Sequence, residues 1–338
     1  MASSGSVALV AVTIAAVVTA GCSATPQSAG RPRASPSAPV SFAVPSSSPT
    51  TQPDSPSPSP IPTSLPIVVA QSDLPNALNP GTCIEYSPTS RARHQVVFLD
   101  AGHGGLDPGG VGSTSSGAPI DEETAALAVE LRALGLLRGA GYSVVVSRTT
   151  DTTVARLVTS DYVFGSLTAH AVRIDALARV ACANAAGAAV LVAIHFNADS
   201  NPEFGGVQTV FDDARSFTPE NLRLAELVQA ELTDAYRGVG LDISDLGTVA
   251  DSESGTPALT ARGEAYGHLI ELGPQSSGWV DHPSGMPGVL VEALHLTRPP
   301  EADLASNPKG QALIASALVS GIEKFLDPGA PPPLVGAS

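Results

Sequence analysis

Two continuous apolar runs along the chain each lead into a histidine. Residues 96–99 are followed by a glycine-rich loop that carries His103, and residues 188–194 are followed directly by His195. Uninterrupted apolar runs of this length are typical of strands that are buried on both faces of a parallel sheet. Ligands in such sheets bind beyond the carboxyl ends of the strands, so we expect His103 and His195 to meet at one edge of the sheet.

A third run and a helix are expected to bring carboxylates to the same edge. Residues 267–270 have the pattern of a strand that ends at Glu271. Residues 121–134 consist largely of strong helix formers and begin with acidic residues, which the helix dipole favours in a first turn. Such acids are usually caps or dipole partners. Two imidazoles and one carboxylate are nevertheless a common zinc-binding set, which makes Glu122 a candidate ligand.

Taken in order along the chain, these residues resemble the zinc-dependent N-acetylmuramoyl-L-alanine amidases of type 3, which cleave bacterial peptidoglycan. The resemblance extends from Val96 to about Leu326. Besides the two histidine segments and the Glu122 helix, it includes residues 142–151, 173–184, 206–211, 222–232 and 269–273. The combination of all parts is specific, whereas any one of them alone is not.

The resemblance implies a role for each candidate residue. His103, Glu122 and His195 would hold zinc, and Glu271 would act as general base and acid. Glu122 is preferred to Glu123 because the apolar residues that follow it have the spacing found in the family. Zinc held in this way lowers the pKa of its bound water to about 7, which makes hydroxide available for attack on an amide. The amide implied is the one between the lactyl group of N-acetylmuramic acid and L-alanine of the stem peptide.

A few features depart from the family pattern. Ala193 stands where the family usually has serine, residues 273–277 replace a Gly-Phe pair and a following Asn, and the segment between Asp151 and Arg173 is longer than usual. None of them alters a predicted ligand, so they bear on substrate preference rather than on zinc binding. His268 is expected on the strand face opposite to the catalytic glutamate and is therefore not expected to bind metal.

Composition divides the chain into several parts. Residues 1–22 are predicted to be a signal peptide, 23–66 a disordered linker rich in Pro, Ser, Thr and Ala, and 328–338 a disordered tail. Residues 67–94 form an N-terminal extension to a catalytic domain at 95–327. Because strand and helix patterns alternate there, we expect one α/β domain with a twisted, mainly parallel central sheet flanked by helices.

The first residues of the chain predict export. Residues 7–20 form an apolar run that is too short to span a bilayer comfortably and that precedes small residues and Cys22. The sequence before Cys22 resembles a lipobox, which would place the protein as a lipoprotein at the outer face of the cytoplasmic membrane or in the cell wall. Thr19 departs from the usual aliphatic residue and no Lys or Arg precedes the run, so simple secretion is the alternative.

The net charge limits the kinds of partner that the protein is expected to bind. The formal net charge of -15 disfavours nucleic acid as a partner. We expect a peptidoglycan substrate, a membrane contact only through a lipid on Cys22, and a monomer.

Once Cys22 is assigned to the signal, Cys83 and Cys182 form an even pair, which predicts a disulfide in an exported protein. Two buried free thiols are the alternative.

The sequence alone does not exclude two other functions. A different zinc peptidase would cleave within peptides, although the His-Glu-x-x-His motif of its commonest version is absent from the sequence. A non-catalytic wall-binding lipoprotein built on the same fold is the second, and the altered residues after Glu271 keep it open.

Overall fold

The structure is a computed structural model that describes residues 64–67, 76–255 and 258–329. The strands are β1 (Ser64–Pro66), β2 (Thr82–Tyr86), β3 (Val96–Ala101), β4 (Val111–Ser113), β5 (Pro119–Asp121), β6 (Ser143–Arg148), β7 (Tyr162–Val163), β8 (Ser166–Leu167), β9 (Val190–Asn197), β10 (Val207–Phe211), β11 (Asp245–Ala250) and β12 (Gly288–His295). The helices are α1 (Glu122–Gly139), α2 (Ala169–Ala185), α3 (Thr218–Gly238), α4 (Ala261–Tyr266), α5 (Pro299–Ser306) and α6 (Pro308–Leu326). Within the described ranges, no helix meets the length and hydrophobicity that a membrane-spanning segment needs.

A central sheet of eight strands organises the fold. Its order is β1-β2-β6-β3-β9-β12-β10-β11. The middle strands β6, β3, β9 and β12 run parallel, whereas β2 and β10 run antiparallel to their neighbours in this group. β11 is parallel to β10 and therefore shares its reversed direction. The predicted α/β domain with a mainly parallel sheet and flanking helices is confirmed.

Both faces of the sheet are buried, which explains the continuous apolar runs. Successive strand residues point to opposite faces. Val97 and Leu99 pack in one core with residues of α1, α3 and α6. Phe98 and Leu191 pack on the other face in a second core, which includes Cys182 of α2. Neither face of the middle strands is left to solvent, so most of their residues are apolar and the polar ones lie mainly towards the strand ends, with Glu292 inside β12 as an exception.

The strand expected at residues 267–270 does not form. Helix α4 ends where Gly267 adopts a left-handed conformation with φ 71°. The residues after it form turns, and Leu269 and Leu272 pack onto the second core instead of pairing in the sheet. The prediction is wrong at this point because a buried apolar pair in a turn has the same pattern as a short strand. Glu271 therefore lies in a turn and not at a strand end.

The predicted linker extends a few residues too far. Residues 64–66 of the predicted 23–66 linker form β1, which pairs antiparallel with β2. The side chains of β1 are exposed, so backbone hydrogen bonds rather than burial hold it in place. Composition carries no signal for such a strand. The predicted signal peptide (1–22), the remainder of the linker and residues 330–338 of the predicted tail lie outside the described residues.

The longer segment between Asp151 and Arg173 forms a small hairpin ahead of α2. Strands β7 and β8 pair antiparallel, and Phe164 at the turn between them is fully exposed. Helix α2 then begins after Thr168, whose hydroxyl accepts a hydrogen bond from the backbone N–H of Ala171. The segment thus forms a hairpin of its own that is not part of the eight-stranded sheet.

A disulfide joins Cys83 to Cys182, as the sequence predicts. Cys83 lies in β2 and Cys182 near the end of α2, and both side chains are fully buried. The bond therefore fastens β2, which lies between the edge strand β1 and β6, to the helix that covers the second face of the sheet. β2 belongs to the predicted N-terminal extension, so the bond also ties this extension to the domain.

Breaking this disulfide is expected to destabilise the domain. The two cysteines are separated by 99 positions, and closing a loop of that length contributes about 4.7 kcal/mol to the free energy of unfolding in the chain-entropy model. A Cys83→Ser/Cys182→Ser double variant should therefore lose about 4.7 kcal/mol relative to oxidised protein in urea unfolding. Reduced wild-type protein is the control and should match the double variant. Coincident unfolding curves for the double variant and the oxidised protein would contradict the prediction.

Candidate active site

Glycines allow the loop after β3 to bring His103 against its neighbours. His103 has a left-handed backbone conformation with φ 61°. A Cβ atom at Gly102 would lie 2.3 Å from the ring of His195, and one at Gly109 would lie 2.5 Å from Oε2 of Glu122. Real Cβ atoms do not come so close, so glycine at these two positions is a condition for the approach of the three side chains.

His103, Glu122 and His195 meet at the carboxyl edge of β3 and β9. Oε1 of Glu122 lies 3.2 Å from Nε2 of His103 and 2.9 Å from Nδ1 of His195. One potential ligand atom from each residue lies within 4.8 Å of the other two. Glu122 is buried, whereas both histidines are partly exposed. The three side chains form a group that could hold a metal ion and that solvent can reach.

The two acids at the start of α1 have different surroundings. Oε1 of Glu122 also accepts the backbone N–H of Phe196, and its Oε2 accepts that of Gly110. Glu123 instead accepts a hydrogen bond from the hydroxyl of Thr124 at 2.7 Å. Of the two acids, Glu122 is therefore the one that reaches both histidines.

Mutual attraction shifts the pKa values within this group. Burial alone would lower the pKa of His103, but the Glu122 and Asp107 carboxylates outweigh it and raise that pKa well above its usual value. Burial would raise the pKa of Glu122, yet His103 and His195 hold it well below its usual range. Glu122 is therefore a carboxylate that the two imidazoles stabilise, and a cation placed between them would be stabilised by the same charge.

A further carboxyl, Glu292, adjoins this group and was not singled out from the sequence. It lies in β12 opposite His195 of the parallel strand β9. Burial, together with the nearby Glu122 carboxylate, raises the pKa of Glu292 to about 8, although His103 acts in the opposite direction. The signal that could have found it is a lone acid within the apolar run of residues 288–294.

Glu271 has a different environment from the one expected for it. Its carboxyl lies beside that of Asp100, and both face the guanidinium of Arg179. Burial and then the Asp100 carboxylate raise the pKa of Glu271 well above its usual value. Arg179 also forms ion pairs with Asp100 at 2.5 Å and with Asp175 at 2.9 Å. Glu271 is therefore part of a buried charged network rather than a partner of Glu122.

Comparison with known sequences identifies the family to which this arrangement belongs. The family model described as N-acetylmuramoyl-L-alanine amidase matches residues 97–324, which is more than half of the chain. The chain belongs to the N-acetylmuramoyl-L-alanine amidase family. The resemblance derived from the sequence is thereby confirmed.

Individual amidases of this family show how far the similarity extends. The chain is 27% identical over 239 residues to a germination-specific N-acetylmuramoyl-L-alanine amidase of Bacillus subtilis (strain 168), with 70% of this chain and 83% of that protein covered. It is 26% identical over 254 residues to the amidase AmiC of Neisseria meningitidis serogroup B, of which it spans 53%. The fold is similar to that of the CwlD amidase of Clostridioides difficile, solved in complex with the GerS lipoprotein. The TM-score is 0.52 at 21% identity, with 69% of this chain and 98% of that one covered.

Buried arginines hold the backbone of the amidase immediately before and at His103. Arg179 donates hydrogen bonds to the carbonyl oxygens of Ala101 and His103, at 2.7 and 2.6 Å. Arg148 donates to the carbonyl oxygens of Ala101 and Gly102, each at 3.0 Å. Hydrogen bonds from a charged donor are stronger than neutral ones, so these two side chains fix the loop that positions His103.

Glu130 of α1 binds the same segment from its other side. Its Oε1 accepts the backbone N–H of Ala101 at 3.0 Å, and its side chain is fully buried. Burial raises the pKa of Glu130 to about 8, although Arg148 opposes the shift. Glu130 is therefore largely protonated at neutral pH while it holds the backbone at the end of β3.

Replacing Glu130 by glutamine is expected to change how stability depends on pH. The pKa of this carboxyl rises from 4.5 to about 8 on folding, so the folded state binds more protons than the unfolded state between these values, and stability falls as pH rises across that window. Glu130→Gln keeps the shape of the protonated acid and should remove this part of the slope. Free energies of unfolding between pH 5 and 8 should shift in favour of the variant as pH increases. The exposed Glu226→Gln is the control, and a pH-independent difference for Glu130→Gln would refute the assignment.

Proposed function

We propose that the chain hydrolyses the amide bond between the lactyl group of N-acetylmuramic acid and L-alanine of peptidoglycan, with a zinc ion held by His103, Glu122 and His195. The observation that carries this proposal is the meeting of two imidazoles and one carboxylate at a solvent-accessible sheet edge in a member of the amidase family. A protein that only bound the cell wall would have no need of such a group.

The donor set fits zinc. Bonds of about 2.0–2.1 Å in tetrahedral geometry hold two ligand atoms roughly 3.3 Å apart. The atoms of Glu122 lie 3.2 and 2.9 Å from those of His103 and His195. Three protein ligands leave a fourth position for water or substrate, which is the arrangement of catalytic zinc sites. When bound, zinc would polarise the amide carbonyl and lower the pKa of a water molecule to about 7.

Two carboxyls are candidates to accept the proton of the attacking water. The sequence predicts Glu271, and that assignment stays a prediction. The position of Glu292 beside His195, and its interactions with Glu122 and His103, favour Glu292 instead. A carboxylate beside the metal-binding group can act as a base when it is within hydrogen-bond reach of the attacking water. The proton that Glu292 accepts would then pass to the leaving amine of L-alanine.

The enzyme is proposed to act outside the cytoplasm. Residues 7–20 and Cys22, which lie outside the described residues, carry the export and lipidation signals. The Cys83–Cys182 disulfide supports this location because such bonds persist in oxidising compartments. A lipid on Cys22 would tether the domain near the wall through the Pro- and Ser-rich segment that follows, and release after simple secretion is the alternative.

Substitutions of the metal-binding group are expected to remove zinc selectively. His103→Ala and His195→Ala should each contain about one zinc ion per chain fewer than wild type, because two remaining ligands hold zinc weakly. The matched pair Glu122→Gln and Glu123→Gln tests the choice between the acids. Glu122→Gln should lose the ion and Glu123→Gln should retain it. Elemental analysis measures these contents, and equal zinc in wild type and both histidine variants would exclude this site.

A second matched pair decides which glutamate is the base. Glu292→Gln has nearly the same shape but cannot accept a proton, so its kcat on purified peptidoglycan should fall by at least about 100-fold while zinc is retained. Glu271→Gln should lose much less activity. Mass spectrometry of the released stem peptides measures the rate and also identifies the bond that is cleaved. A large loss in Glu271→Gln alone would establish the residue predicted from sequence, and cleavage within peptides would show a peptidase.

A further inference from the structure

A second group of potential metal-ligating side chains lies near the start of β12, at the opposite end of the parallel strands from the proposed zinc site. Asp212 directly follows β10 and Asp251 directly follows β11, and both strands run against β12. Phe211 pairs with Val289, so the end of β10 lies beside the start of β12. At about 3.3 Å per residue, the stretch of β12 from Gly288 to Glu292 is roughly 13 Å long. This group is therefore separate from the proposed zinc site.

His268 stands between two carboxylates of this group. Its Nδ1 lies 3.0 Å from Oδ2 of Asp212, 3.1 Å from Oδ1 of Asp251 and 4.0 Å from Oδ1 of Asp213. One potential ligand atom from each of the four residues lies within 4.8 Å of the others. The expectation that His268 lies on a strand face opposite to Glu271 is wrong, because residues 267–270 form no strand and alternation does not apply to them.

One buried oxygen of this group lacks a donor. The side chain of Asp212 is fully buried, and its Oδ1 accepts the backbone N–H of Ala214. Its Oδ2 accepts no hydrogen bond from any described residue, although it faces His268. Nδ1 of His268 carries at most one proton, and it makes a hydrogen bond with Asp251. A buried carboxylate oxygen without a donor is unfavourable, and a cation at this point would remove the deficit.

We propose that Asp212, Asp213, Asp251 and His268 form a binding site for a divalent cation, Mn²⁺ or Zn²⁺. Carboxylates suit Mn²⁺ and an imidazole suits Zn²⁺, whereas Ca²⁺ prefers oxygen ligands throughout. The side chain of Asp213 is 41% exposed, which gives an ion a path from solvent.

The ion would join three parts of the chain that are distant in sequence. It would connect the ends of β10 and β11 to the segment that follows α4. Oδ2 of Asp251 already accepts the backbone N–H of Leu269 at 2.9 Å, so this carboxylate would serve both the ion and that segment. The site would thereby fix the turn that carries Glu271.

Counting bound ions in single and combined variants separates the two sites. Chelator-treated protein is dialysed against Mn²⁺, Zn²⁺ or Ca²⁺, and bound metal is measured by elemental analysis. The His103→Ala variant should retain one Mn²⁺ or Zn²⁺ ion per chain. Adding Asp251→Asn or Asp213→Asn to it should weaken binding of that ion at least tenfold, whereas the exposed Asp242→Asn should have no effect.

The proposal would be overturned if His103→Ala bound no Mn²⁺ or Zn²⁺, or if it bound an ion that Asp212→Asn, Asp213→Asn and Asp251→Asn left unchanged. Binding of Ca²⁺ alone would overturn the choice of cation. Circular dichroism of each variant shows that it is folded, and Asp213→Asn alters a partly exposed side chain, so its result does not depend on a buried substitution. A wild-type metal content unaffected by His103→Ala would count against the proposed zinc enzyme and leave the second site standing.

Discussion

The contact between one carboxylate oxygen of Glu122 and two imidazoles is the constraint on which the rest of the site depends. Glu122 is the first residue of α1, whereas His103 follows β3 and His195 lies near the carboxyl end of the adjacent parallel strand β9. The helix must therefore begin at the edge where both strands end. Glycines at 102 and 109 provide the space for this approach, and two buried arginines hold the backbone before His103. Each of these features follows from the need to bring one buried charge to two ring nitrogens.

The histidines could be placed from sequence because parallel strands buried on both faces leave an unmistakable pattern. A continuous apolar run identifies such a strand, and the first polar residues after it must lie at its carboxyl end. The disulfide was predicted by a separate argument, because two remaining cysteines in a chain predicted to be exported favour pairing. Strand β1 could not be found in this way, since exposed side chains on an edge strand carry no burial signal.

Local sequence patterns did not place the acidic residues Glu271 and Glu292 correctly. Leu269 and Leu272 are needed by the core whether they lie in a strand or in a turn, so the pattern around Glu271 does not distinguish the two. The acid in β12 is surrounded by apolar neighbours in sequence and could be linked to the site only through the pairing of β12 with β9. Strand order and register are long-range properties that local patterns do not contain. His268 was misplaced because residues 267–270 form no strand, and its partners could not be foreseen because they follow two other strands.

Because of the bond between Cys83 and Cys182, the stability of the domain depends on whether its compartment is oxidising or reducing. Thiols stay reduced in the cytosol and pair outside it. A contribution of about 4.7 kcal/mol corresponds to roughly a three-thousandfold change in the folding equilibrium. A chain held in a reducing compartment would lack this contribution, and it would unfold and be degraded more readily than the oxidised form. A hydrolase built in this way would become long-lived only on the side of the membrane where the cell wall lies.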